Sequence, residues 1–188
     1  MLIFSQAGDL IDAWGDWDVL PRTVHSCSVD ADNNVWITAN GDGMIQKYTH
    51  DGKLLLQIGT KGVHDTSDGT RQGTPLNAGH DAFHKPAGLT IDRTNGDVYV
   101  ADGYGNRRVV VFDKDGKYLR QWGRQATPEE MEAGVGGVFA EVVHDVKISN
   151  AGLVYVCDRQ GDRVQIFDKL GNFKRNIWVR NGTPTLPD

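Results

Sequence analysis

The stretch VYVADGYGNRRVVVFDKDGKYLRQWG at residues 98–123 decides the fold, because the chain contains it more than once. VWITANGDGMIQKYTHDGKLLLQIG (35–59) and VYVCDRQGDRVQIFDKLGNFKRNIW (154–178) align with it, and LIFSQAGDLIDAWG (2–15) matches its second half. An aromatic at Phe4, Tyr48, Phe112 and Phe167 is followed four residues later by Gly8, Gly52, Gly116 and Gly171. Seven residues further stand Gly15, Gly59 and Gly123, with Trp178 in the last copy. The aromatic anchors are 44, 64 and 55 residues apart. A unit of about 40 residues therefore repeats, with insertions at 60–85 and 124–141.

Within each unit the short apolar runs read as strands. Val35 and Ile37, Val98 and Val100, and Val154 and Val156 alternate in β-rich segments flanked by Asn-Asn, Asn-Gly and Ala-Gly turn signals. The second half of each unit reads as a hairpin whose tip is Asp51-Gly52, Asp115-Gly116 or Leu170-Gly171, glycine supplying the positive φ of a tight turn. Only TPEEMEAG (127–134) has helical character, with Thr127 as cap and Pro128 in the first position.

Four short strands in a tandem unit of this length is the pattern of a β-propeller blade. The fold expectation is all-β, with a half blade at 1–20, blades at 21–59, 86–123 and 142–180, and the two insertions between them. About three and a half blades fall short of the roughly four to eight that close a ring. The expectation is therefore a piece of a longer propeller, or a chain whose ring is completed by further blades or a second chain.

Composition narrows the function classes. With 25 acidic against 20 basic residues the net charge is −5, which offers no basic face for nucleic acid. The longest apolar runs, Met1 to Phe4 and Val109 to Phe112, are far below the roughly 20 residues of a membrane-spanning helix. No secretory signal is read at the N-terminus, so the compartment is left unassigned. Cys27 and Cys157, 130 residues apart, form no disulfide framework. Twenty-three glycines against six prolines suit a turn-rich β protein rather than a disordered one.

The unit, with its VYVAD strand, NRRVVVFD strand and DGKYLRQWG tail, resembles the NHL-type repeat over roughly residues 1–178. That resemblance implies a propeller, six-bladed in its full form, and leaves function open, since such propellers include enzymes and binding scaffolds. Three stretches also resemble the zinc-dependent peptidyl-α-hydroxyglycine α-amidating lyases: RTVHSCSVDADNNVWIT (22–38), KPAGLTIDRTNGDVYVADGYGNRRVVVF (85–112) and EVVHDVKIS (141–149). The resemblance implies a zinc ion on the propeller axis, held by histidines at the openings of alternate blades. His25 and His144 are the two present here. It implies that Tyr104, in DGYGN, is the catalytic base, and that the Cys27 backbone carbonyl is a calcium ligand. The third zinc histidine and a substrate-binding arginine would lie in blades outside this chain. Departures are Val24 and Val143 where the family has proline, Ser26-Cys27 in place of Gly-Leu, and His84 and Gly105 where animal lyases have a stapling cysteine pair.

The repeat register leads to a similar place. His25 and His144 share one position of the first and third full units, and Ala87 occupies it in the second. In a ring of six, alternate blades are about 120° apart. A third imidazole would complete a three-histidine site with an open position, the arrangement of catalytic zinc. The chemistry this implies is polarisation of a substrate α-hydroxyl, with Tyr104 taking its proton as a phenol of depressed pKa. A small peptide or α-hydroxy amide is the expected substrate, and a non-catalytic scaffold that binds a protein, peptide or other ligand is the alternative.

Other polar residues read as structural. His64, Asp65, Asp68, His80, Asp81 and His84 in the first insertion have no standard metal spacing, and the insertion is expected to shape the substrate mouth. Asp102, Asp113, Asp158 and Asp168 are expected to make blade-to-blade hydrogen bonds. Arg107, Arg108 and Arg163 recur after one turn, with surface or inter-blade pairing expected.

Overall fold

The computed structural model describes residues 1–16, 18–65 and 77–179. A short hairpin comes first, β1 (Leu2–Phe4) and β2 (Leu10–Ala13). Blade A follows as β3 (Val24–Val29), β4 (Val35–Ala39), β5 (Met44–Tyr48) and β6 (Leu54–Ile58). Blade B is β7 (Pro86–Ile91), β8 (Val98–Asp102), β9 (Arg108–Phe112) and β10 (Tyr118–Trp122). Blade C is β11 (Val143–Ile148), β12 (Val154–Asp158), β13 (Arg163–Phe167) and β14 (Phe173–Trp178). Each blade is an antiparallel meander in sequence order. The edge strand β7 lies against both β3 and β11, so the first strands of the three blades stand side by side along the inner edge of the array.

This radial stacking explains why VYVAD and RVVVF are buried at every position. In β8, Val98 and Val100 pack towards blade A with Trp36, Ile45 and Ile58, whereas Tyr99 and Ala101 pack towards blade C with Val146, Val154 and Phe167. In β9, Val110 and Phe112 face the first cluster and Val109 and Val111 the second. A strand covered on both faces is apolar except where a polar side chain finds a partner, as Asp102 and Arg108 do at the ends of β8 and β9. Blade A buries Val35, Ile37 and Tyr48 against Trp14, Val19 and Leu20, so the segment that follows the N-terminal hairpin covers its outer face.

The hairpin tips follow the sequence reading. Gly52 and Gly171 have φ of 91° and 90°. Each also lies so close under a tryptophan, Trp14 and Trp122 respectively, that a side chain at the glycine would overlap the indole. The helix α1 (Pro128–Glu132) forms where expected, with Thr127 and Glu130 making a reciprocal capping box.

The repeated aspartates and arginines do other work than expected. Asp102 and Asp158 close their own blades by pairing with the buried Arg108 and Arg163 of the next strand, at 2.9 and 2.8 Å. They also accept the His84 and Ala140 backbone N–H groups, each at 2.9 Å. Arg108 donates to the carbonyls of Gly79 and Ala82, and Arg163 to those of Val135 and Val138. Each buried arginine thus pins the insertion before its blade. Blade A has Met44 at this position, and only ten residues, 14–23, separate β2 from β3. Asp113 and Asp168 cap their own turns, accepting the backbone N–H groups of Asp115 and Lys117 and of Leu170 and Asn172.

Candidate active site

The first strand of every blade carries a β-bulge at one repeated position. Val24 pairs with Ala39 and Ser26 with Thr38, leaving His25 outside the ladder. Pro86 pairs with Asp102 and Gly88 with Ala101, leaving out Ala87. Val143 pairs with Asp158 and Asp145 with Cys157, leaving out His144. A bulge residue is released from the strict alternation of the strand, a device that re-aims side chains next to functional sites.

His25 uses the neighbouring bulge to fix its ring. Its Nδ1 is 3.0 Å from the Ala87 carbonyl, which also accepts the Thr38 hydroxyl at 2.7 Å. A carbonyl only accepts, so Nδ1 carries a proton, and in the neutral ring the lone pair is then on Nε2. That Nε2 is 3.4 Å from the Tyr104 hydroxyl, and the Nε2 of His144 is 3.1 Å from the same oxygen. The two imidazole centroids are 5.3 Å apart, with the rings at 74°. Burial, with smaller contributions from His25 and Arg159, holds His144 below the ordinary histidine value, against the opposing pull of Asp145. His144 is therefore neutral at neutral pH, with a nitrogen free to hold a proton or a metal.

Tyr104 sits in the β8–β9 turn between two close backbone contacts. A side chain at Gly103 would run into the Val143 backbone of blade C, and one at Gly105 into the His84 ring. Gly105 donates its N–H to the His84 carbonyl at 2.9 Å. His84 thus fills the space that the sequence resemblance gives to a disulfide. Arg159, at the start of the β12–β13 turn, donates to the Tyr104 hydroxyl at 3.3 Å and lies 5.4 Å from its ring centre. The sequence reading did not single out Arg159. The available signal was its turn position after Asp158, equivalent to Asn40 and Gly103, where it is the one charged residue.

The structure thus brings His25, Tyr104 and His144 together, from three blades. Cys27 is not among them. It is an exposed free thiol in the paired part of β3, opposite Ile37. Among the described residues no group of three histidine, cysteine, aspartate or glutamate side chains is placed to hold a metal ion. The first-insertion residues serve separate contacts. Asp65 pairs with Arg108 at 3.2 Å, His80 stacks on Tyr118 with centroids 4.0 Å apart, and His64 contacts His84 with centroids 5.3 Å apart. Asp81 is exposed, and Asp68 lies outside the described residues.

Radial blades, with two histidines of their inner strands meeting a tyrosine of the β8–β9 turn, define a partial β-propeller. Residues 83–112 match the NHL repeat model, and the chain is a partial propeller of NHL-type repeats. It is 32% identical over 175 residues to human NHL repeat-containing protein 3, covering 90% of this chain and 45% of that protein. It is 27% identical over 147 residues to peptidyl-α-hydroxyglycine α-amidating lyase 1 of Drosophila melanogaster, covering 76% of this chain and 25% of that protein. The chain thus spans less than half the length of these relatives. In solved structures it is similar to a streptogramin B lyase, with a TM-score of 0.61 at 14% identity over 95% of this chain and 47% of that one. That likeness concerns the fold.

Proposed function

We propose that this chain carries part of the active site of a zinc-dependent lyase of the α-amidating type, which cleaves the C–N bond of an α-hydroxyglycine to give a peptide amide and glyoxylate. The observation that carries the reading is the convergence of His25 Nε2 and His144 Nε2, from alternate blades, on the Tyr104 hydroxyl. The donor set fits zinc. Both groups are imidazoles, one held in the Nε2-accepting tautomer by the Ala87 carbonyl and the other kept neutral by burial. Remaining ligands would come from further blades or a second chain closing the ring. Zinc in such a site supplies a Lewis acid.

The protein's own residues account for the proton. Tyr104 takes it from the substrate α-hydroxyl, the C–N bond breaks as the carbonyl of glyoxylate forms, and the departing amide nitrogen gains a proton. Arg159, which donates to the phenol oxygen, helps to orient Tyr104. A second reading, a non-catalytic propeller scaffold, is favoured by the higher identity to NHL repeat-containing protein 3 than to the lyase.

The test is zinc calorimetry on the full-length protein beside His25→Ala and His144→Ala, with glyoxylate release from an N-acyl-α-hydroxyglycine. Stoichiometric zinc lost in both variants together with their glyoxylate release supports the lyase. Zinc binding that neither substitution changes, with no glyoxylate released, leaves the scaffold.

A further inference from the structure

We infer that Arg107 is a positioning residue for Tyr104, the side chain that fixes the turn on which the proposed base is carried. The inference rests on the lyase reading above and adds a residue to it.

The β8–β9 turn is one residue longer than its counterparts. Five residues, Gly103 to Arg107, separate Asp102 from Arg108, whereas four separate Asp158 from Arg163 and four separate Ala39 from Met44. The extra length goes with a side chain that folds back on the turn. Arg107 Nη1 donates to the Gly103 carbonyl at 2.9 Å and to the Asn106 carbonyl at 2.6 Å, the two carbonyls that bracket Tyr104 and Gly105. Its Nε donates to Gln125 Oε1 at 2.7 Å, which ties the turn to the second insertion. Its backbone N–H donates to Asn77 Oδ1 at 2.9 Å, which ties the turn to the first. One residue therefore holds the tyrosine turn to itself and to the segments before and after blade B.

Arg107 also differs in kind from the two buried arginines of the blade frame. Arg108 and Arg163 face carboxylates, but among the described residues no carboxylate lies within ion-pair distance of Arg107. It is 8% exposed, and its hydrogen bonds end on neutral oxygens. Burial works against its charge, and Glu141, Asp158 and Asp102 offset this only at longer range. A buried cation without a counter-ion is costly to a fold. Frame stability is already supplied by Arg108, one residue on. Two carbonyls held by a single guanidinium nitrogen give instead a turn of fixed shape, which a residue presenting a catalytic oxygen requires.

The test uses Arg107→Gln and, should that variant fail to fold, Arg107→Lys, each in the full-length protein. The expected result is a fall in kcat of about a hundredfold, the scale of a roughly 1 Å misplacement. KM and zinc affinity should stay within about threefold, since His25 and His144 are not touched. An unchanged kcat, or a loss of zinc affinity in step with kcat, overturns the inference. If the wild-type protein releases no glyoxylate, it is the lyase reading that fails. The Tyr104 ring resonances, observed by NMR with labelled tyrosine, then decide. A shift in the variant at conserved His25 and His144 signals supports the positioning role, and an unmoved ring overturns it.

Discussion

The Nε2 of His144 lies 3.1 Å from the hydroxyl of Tyr104, across the boundary between blades B and C. The contact joins residues 40 apart in sequence, and it exists because Gly103 lets the tyrosine turn come down onto the Val143 backbone, next to that histidine. Blade packing and site geometry are therefore one structure at this point.

Replacing Tyr104 by Phe removes the proposed base and leaves the ring. Glyoxylate release should fall by about 10²- to 10⁴-fold, the contribution of a positioned general base. Zinc affinity measured by calorimetry should change little, because the imidazoles keep their own supports. Activity near the wild-type level would exclude Tyr104 from the chemistry.

Gly103→Ala should disturb the same boundary from the backbone side. The added methyl meets the Val143 main chain, which cannot yield as a flexible side chain would. Overpacking of this kind costs about 1–3 kcal/mol. A lower urea midpoint together with reduced activity is expected, and a stability equal to wild type would show that the blades can separate there without cost.

Asp158→Asn tests the buried frame. It leaves Arg163, whose side chain is wholly buried, without the Asp158 carboxylate at 2.8 Å. Loss of one partner of such a pair costs about 3–5 kcal/mol. Chemical denaturation should report that loss, and Asp102→Asn should cost less in blade B, where Arg108 keeps Asp65 at 3.2 Å.

The His64–His84 contact gives a pH dependence. Burial is the first cause that lowers both histidines. Lys85 acts in the same direction on each, His64 adds to the lowering of His84, and Asp102 opposes it in both. Asp42 opposes it at His64 and Asp65 at His84. The unfolded chain therefore binds protons here that the folded chain does not, from about pH 6.5 down to the folded values. Stability from this pair is complete above that pH and is lost as the pH falls through the window. Melting temperatures between pH 7.5 and 5 should decline, and His84→Gln should flatten the decline. An equal slope in the variant would place the acid sensitivity elsewhere.

Much of the fold was legible because a propeller is local in sequence. Each blade is a meander of consecutive strands, so period, hairpin tips and apolar runs suffice to draw it, and the Asp-Gly and Leu-Gly tips fall where read. The register of His25, Ala87 and His144 was legible for the same reason. Aspartates and arginines misled where they were assigned to blade-to-blade contacts. Asp102–Arg108 and Asp158–Arg163 are pairs across one hairpin, and their outward partners are insertion carbonyls, which carry no sequence signature.

Sequence alone determined the repeat, the strands, the turns and the shared position of the two histidines, since these depend on patterns within about 40 residues. Tertiary structure decided that His25 and His144 meet at one phenol, that Arg159 joins them and that Arg107 holds the turn. Those facts follow from bulges, which are defined by a partner strand, from contacts at the phenol between residues 40 to 79 positions apart, and from the ties of Arg107 to Asn77 and Gln125, 30 and 18 positions away. Local chemistry chose the residues for each blade, and the packing of one blade on the next aimed them.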